Sequence, residues 1–343
     1  MEQRRLGNSG FYVSALSLGT ATFGAGESFK AWGSQAVDAA RRFVEVAIDA
    51  GVTLFDTADA YSAGSSEEVL GKAIHGRRDQ VIVATKAFGR MGQGANDSGL
   101  SRAHLIKACE DSLRRLGTDY IDLYQSHGFD ALTPLEETLE AFQHLVQSGK
   151  VRYVGCSNYS AWHLMKALAT AKETGGARYV SQQVYYSLVG RELEYELVPL
   201  SLDQGVGILV WSPLAAGFLT GKYRRDQQPT EARRLAGQEP AIALSDDRAY
   251  DLIDLMAQIA DGYSVSVAQV ALNWLLRKPS VTSVILGART LEQLQDTLNT
   301  TNWKLSESDV ERLDEASELP APYPYWHQRK YGVGRNPLIT SSQ

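Results

Sequence analysis

Short apolar or β-branched runs recur along the chain, mostly at intervals of roughly 25 to 40 residues, each followed by a stretch whose hydrophobic positions repeat with helical period. The runs lie at 15–18, 53–56, 81–86, 121–126, 152–156, 181–184, 207–211 and 282–285. Helical patterns include 34–50, 101–116, 134–148, 159–174, 246–261 and 266–277, and another, 290–299, follows the last run. Ser101 and Ser160 stand where N-caps are wanted. Eight strands alternating with helices predict an α/β fold whose parallel sheet closes on itself, a (β/α)8 TIM barrel with extra helices and loops at its C-terminal side.

Three stretches break this rhythm. Residues 4–13 carry Gly-Asn-Ser-Gly between two β-prone pieces, which predicts a hairpin over about 1–14 that could plug the bottom of the barrel. Residues 219–244 are charged and bear Gly, Pro and Gln, the composition of a long mobile loop. The tail, 319–343, is aromatic and Pro-rich, and is expected to be ordered coil at its start and frayed at its end. With no internal repeat, low-complexity tract or linker, 1–343 is expected to form one domain.

Charge narrows the class of partner. The net charge of −6 leaves no global basic field to hold nucleic acid or an anionic membrane. The first residues lack an apolar leader core and no run of about 18 apolar residues occurs, so a soluble cytoplasmic protein is expected. Cys109 and Cys156 are too few for a disulfide framework and are expected to be reduced. The six histidines show no pairing at ligand spacing, so no metal site is expected.

Four polar residues fall at or just beyond predicted strand ends: Asp56, Tyr61, Lys86 and His127. In a barrel those ends converge on one mouth. A lysine buried there needs a carboxylate, and Asp56 is the obvious partner. A Lys-Asp pair beside a tyrosine favours the phenolate, and so is expected to lower the pKa of Tyr61 and make it a proton donor. A neutral His127 could polarise a carbonyl oxygen by hydrogen bonding. Each residue has an ordinary alternative. Asp56 serves equally as a cap, Tyr61 as one of 16 tyrosines and His127 as a core residue, while Lys86 could be the Schiff-base nucleophile of an aldolase.

Taken together, the residues resemble the catalytic tetrad of the aldo-keto reductases. Phe-Asp-Thr-Ala-Asp-Ala-Tyr at 55–61 with Gly-Ser-Ser-Glu-Glu-Val-Leu-Gly at 64–71 is similar to the family's first signature, with Asp56 and Tyr61 at its catalytic positions. Lys86 and His127 match the other two in order and spacing. The likeness runs from Arg4 to about Ala316 and implies reduction of an aldehyde or ketone by hydride from NADPH, or the reverse oxidation of an alcohol with NADP+, rather than aldolase chemistry. It also extends to the barrel β-subunits of potassium channels, which leaves a slow, cofactor-sensing regulatory subunit as the alternative. Oligomeric state is not legible.

The same resemblance implies the cofactor contacts. Ser157, Asn158 and Gln183 would hold the nicotinamide carboxamide, and Trp211 would stack on the ring in place of the more common tyrosine. Gly19 and Thr20 would lie near the coenzyme. Ser212, Pro213, Leu214, Gly217, Leu219, Gly221 and Lys222 resemble the pyrophosphate loop. Gly287, Arg289 and Gln293 open a helix that would meet the adenosine 2′-phosphate, which favours NADPH over NADH. Asp296 and Thr297 depart from the Glu-Asn that many members carry near the adenine. Phe23, Trp32, Phe88 and Phe129, with Tyr323, Tyr325 and Trp326 of the tail, are expected to wall a pocket for the carbonyl substrate.

Overall fold

Strands flanked by helices bury both faces, which a parallel sheet allows when it closes and is ringed by those helices. A computed structural model of the chain, describing residues 1–24, 36–225 and 242–332, has this arrangement. An antiparallel pair, β1 (Gln3–Arg5) and β2 (Tyr12–Ser14), opens the chain. Eight parallel strands follow: β3 (Leu16–Gly19), β4 (Leu54–Asp56), β5 (Ile82–Ala87), β6 (Ile121–Ser126), β7 (Val151–Ser157), β8 (Tyr179–Tyr185), β9 (Gly207–Trp211) and β10 (Val281–Leu286). Pairing of β10 with β3, Val284 opposite Leu16, closes the barrel.

The surrounding helices are α1 (Val37–Asp49), α2 (Ser65–Ala73), α3 (Arg102–Leu116), α4 (Leu135–Gln147), α5 (Ala161–Thr174) and α6 (Leu197–Gln204). They continue with α7 (Asp246–Tyr263), α8 (Val267–Leu276), α9 (Leu291–Leu298), α10 (Glu307–Ala316) and α11 (Tyr325–Tyr331). α1 shows why periodicity finds most of them: Ala40, Phe43, Val44 and Ala47 are buried, one stripe at helical spacing against the sheet. Burying Phe43 and Val44 contributes about 1.5–3 kcal/mol each. Ser101 and Ser160 cap α3 and α5 as expected, accepting from the amides of His104 and His163. α2, α6 and α10 fall outside the spans predicted above. Each has 8 to 10 residues, and α2 buries Ser66 and Glu67 among its apolar positions, which blurs the stripe.

The hairpin seals one end of the barrel. Leu6 and Val13 are fully buried against Leu54, Ala84, Leu123, Leu209 and Ile285, the innermost apolar layer. Phe11 stacks on Tyr153 with ring centroids 4.6 Å apart. The Arg4 guanidinium donates to the carbonyls of Val281 at 2.9 Å and Leu276 at 3.0 Å. Gly7 turns the chain at φ +58°, where a Cβ would stand 2.4 Å from the Gly205 carbonyl oxygen, so only glycine fits.

The tail differs from its expectation. After Pro324, the run Tyr-Trp-His-Gln-Arg-Lys-Tyr contains no helix breaker, and it forms α11 rather than coil. Tyr325 anchors it by donating to the Glu196 carboxylate at 2.7 Å. Most of the loop predicted at 219–244 and the end of the tail lie outside the described residues. Among the described residues, no helix is long and apolar enough to cross a membrane.

Candidate active site

Period-two alternation builds the site. Leu54 and Ala84 point into the sealed apolar layer, so Asp56 and Lys86, two residues further along the same strands, point into the barrel one layer above it. The Lys86 ammonium donates to Asp56 Oδ1 at 2.7 Å, to the Thr57 carbonyl at 2.7 Å and to Tyr61 Oη at 3.4 Å. Gln183 Nε2 reaches across from β8 to the other oxygen of Asp56 at 2.7 Å. The Lys86 side chain is fully buried and that of Asp56 is 3 % exposed, so solvent screens neither charge.

Burial alone would depress the Lys86 ammonium, but Asp56, and after it Tyr61, more than offset this and hold it above its ordinary range. A clamped ammonium with all three donors committed is no Schiff-base nucleophile, which removes the aldolase alternative. The expected acidification of Tyr61 is corrected. Burial raises its hydroxyl above the usual tyrosine value, and the nearby ammonium lowers it only in part. Tyr61 therefore keeps its proton at neutral pH, and the ammonium beside it is placed where it would stabilise a phenolate.

A strained turn presents Tyr61. Ser62 and Ala63 follow at φ 50° and 54°, left-handed conformations that cost non-glycine residues about 1–3 kcal/mol each. Ser62 Oγ donates to the Phe23 carbonyl at 3.3 Å, and Gly64 packs where a Cβ would meet Arg115 Cδ at 2.8 Å. The ring meets His127 edge to face, with centroids 5.6 Å apart. Burial, then the neighbouring ammonium, push His127 down to about 3, so its imidazole is neutral.

Asp56, Tyr61 and His127 border one cavity of about 790 Å³, within the range of small-molecule sites, while the fully buried Lys86 is not part of its lining. The lining also includes Gly19, Ser157, Asn158, Gln183 and Trp211. Ser212, Pro213, Leu214, Gly217 and Lys222 line it too, as do Gly287, Arg289 and Gln293. Asn158, at φ 57°, donates to the His127 carbonyl at 3.3 Å and accepts from Trp211 Nε1 at 3.0 Å, a chain joining the ends of β6, β7 and β9.

Other expected residues are not brought there. Thr20 is buried with its hydroxyl 2.9 Å from Ser66, Leu219 is fully buried, and Gly221 packs against Val267. Phe23 is also fully buried. Phe88 packs against Gly128, and Phe129 stacks on His163 at 3.5 Å, so neither lines the cavity. Trp32 lies outside the described residues. Thr22, Tyr223, Ser266 and Ala268 line the cavity without having been singled out; of these, Ser266 was visible as a helix start. Asp296 also lines it, with its carboxylate engaged by Ser266 Oγ and Gln269 Nε2, each at 2.7 Å.

The cavity suits a dinucleotide. Its lining combines a tyrosine, amide and hydroxyl groups, the aromatic Trp211 hydrogen-bonded to Asn158, and two cations, Lys222 and Arg289. A Cβ at Gly217 or Gly287 would meet nothing within 4 Å, so the space over that backbone is open. Residues 15–318 match the model of the Aldo/keto reductase family. The chain belongs to this family.

Its relatives cover almost its whole length. An uncharacterized oxidoreductase of Bacillus subtilis is 38% identical over 94% of this chain and 97% of its own. The versiconal hemiacetal acetate reductase of Aspergillus parasiticus is 33% identical over 94% and 99%. A protein of Arabidopsis thaliana named as a probable voltage-gated potassium channel subunit beta is 36% identical over 87% and 90%. Membership and these relatives make this aldo/keto reductase an oxidoreductase acting on carbonyl compounds.

Proposed function

We propose that this aldo/keto reductase uses NADPH to reduce an aldehyde or ketone to the alcohol, with Tyr61 as the proton donor. The observation that carries the reading is the contact of Tyr61, which lines the cavity, with a buried ammonium locked between Asp56 and Thr57. When bound, NADPH supplies the hydride for the carbonyl carbon. Tyr61 gives its hydroxyl proton to the carbonyl oxygen, and Lys86 stabilises the phenolate left behind. His127, neutral and beside Tyr61, donates a hydrogen bond to the same oxygen and orients it. Asp56, held by Gln183, keeps Lys86 charged and in place.

Ser157, Asn158 and Gln183 would hold the nicotinamide carboxamide, and Trp211 would offer its face to the ring. Residues 212–214 with Gly217 and Lys222 would take the pyrophosphate. Gly287, Arg289 and Gln293 would take the adenosine phosphate, and Arg289 would favour NADPH over NADH. Free, buried Cys109 and Cys156 suit a reducing compartment, and the cytoplasm is the proposed location.

Tyr61→Phe tests the assignment. Affinity for NADPH, read by fluorescence titration, should stay within about twofold, while turnover on a panel of aldehydes, ketones and quinones falls by about 10²–10⁴. Retained turnover would refute the role of Tyr61. The likeness to the Arabidopsis protein supports a second reading, a cofactor sensor. On the same panel, one burst of NADPH oxidation without turnover selects the sensor.

A further inference from the structure

Asp59, two residues before Tyr61, takes no part in the scheme above, and its surroundings are unusual for a carboxylate. Its side chain is fully buried, and no side chain among the described residues hydrogen-bonds its carboxyl oxygens, which have the adjacent Ala60 amide as partial relief. A second buried carboxylate, Glu67 of α2, stands near it. Glu67 is fully served: it accepts from Thr85 Oγ1 at 2.5 Å and from Arg115 Nε at 2.7 Å. Arg115 of α3 is thereby committed to Glu67, and Lys86 of β5 to Asp56, Thr57 and Tyr61. Asp59 is left without a counter-ion of its own.

The other titratable groups around this pocket do not change that balance. Tyr61 borders it on the turn, and Tyr124 of β6 and Cys109 of α3 stand behind; burial holds all three above their ordinary ranges, so they are neutral near pH 7. A desolvated carboxyl group beside a like charge keeps its proton. Burial first, and Glu67 second, push Asp59 up to about 7, against partial relief from the Ala60 amide, Arg115 and Lys86. The Asp59 amide donates to the Lys86 carbonyl at 3.1 Å, which ties this carboxyl group to the end of the strand that carries the ammonium.

We propose that Asp59 is a positioning residue for proton transfer. Protonated, it leaves Lys86 to stabilise the Tyr61 phenolate; ionised, it adds a negative charge behind the pair and slows delivery of the proton to the carbonyl oxygen. This rests on Tyr61 being the donor.

Single-turnover reduction by the NADPH-loaded enzyme, followed from about pH 5.5 to 9, tests it. The wild-type rate should fall about three- to tenfold as pH rises through about 7, with NADPH affinity unchanged. Asp59→Asn, of the same shape and always neutral, should hold the low-pH rate throughout. Glu67→Gln, which removes the like charge, should move the step to lower pH. A residue of structural use alone would lower the rate by one factor at every pH and leave the step in place, and that result overturns the proposal. An infrared titration of the coenzyme-free wild type gives a readout apart from activity and does not need the variant to fold: a buried protonated-carboxyl band should disappear near pH 7. Its absence overturns the proposal too. If Tyr61→Phe is inactive but the pH step survives in Asp59→Asn, only this inference fails. If Tyr61→Phe is active, the donor assignment fails instead.

Discussion

Replacing Lys86 by methionine keeps most of the side chain's length and removes its charge, so the variant isolates what the ammonium does. The wild-type ammonium and Asp56 are 2.7 Å apart and shut off from solvent. Methionine would leave the Asp56 carboxyl group in the interior with Gln183 as its remaining side-chain partner. Breaking a buried pair from one side costs about 3–5 kcal/mol. An unfolding entropy of about 2.1 cal/mol/K per residue over 343 residues converts this to a fall in Tm of about 4–7 °C. Neutralising the partner as well, Lys86→Met with Asp56→Asn, removes the orphaned carboxyl group and should restore more than half of the loss.

Calorimetric unfolding of the two variants and the wild type reads this directly. The sign with pH follows from the raised value of Lys86. Its contribution is complete below the ordinary lysine value of about 10.5 and is lost as pH rises through the higher folded value, so the single-variant deficit should persist across neutral pH. A single variant as stable as wild type, or a double variant less stable than the single, would show that the pair is not the closed electrostatic unit described above.

Three further outcomes are expected. Arg289→Ala should weaken NADPH much more than NADH in paired titrations if, as proposed, the guanidinium serves the extra phosphate; equal weakening removes that assignment. Leu6→Ala should cost about 2–5 kcal/mol, since the side chain is fully buried in the apolar layer, while kcat stays near wild type; a matching loss of kcat would mean the hairpin does more than seal. His127, held down to about 3, should add no inflection to the kcat profile between pH 5 and 7. Its lowered folded value means that its neutral form favours folding above about 6.5, and this contribution is lost as pH falls from there towards 3, which acid unfolding of His127→Gln would reveal as a shallower decline.

The barrel was legible because its strands are apolar runs of 3 to 7 residues set between helical stripes, a pattern with few other closed solutions. The gathering of Asp56, Lys86 and His127 around Tyr61 was legible because barrel topology brings strand ends together, with no side-chain torsion needed. Solvation was not. The sequence puts a lysine near Tyr61 but does not say how deeply the phenol is buried, and that burial reverses the expected direction of its pKa. Phe23 misled for a related reason: an aromatic on a mouth loop can turn inward, and this one is fully buried with its backbone serving the Ser62 turn. Asp59 stood in plain view inside the first signature, yet only the packing of α2 and α3 against it gives it a role.

The closed lower end has a kinetic corollary. With Leu6, Val13 and Phe11 packed beneath Asp56 and Lys86, the described residues close the barrel axis on that side of Tyr61. Two reactants that entered by one common mouth would have to queue, the deeper one arriving first and departing last. Whatever covers the rim would then set the dwell time of everything below it.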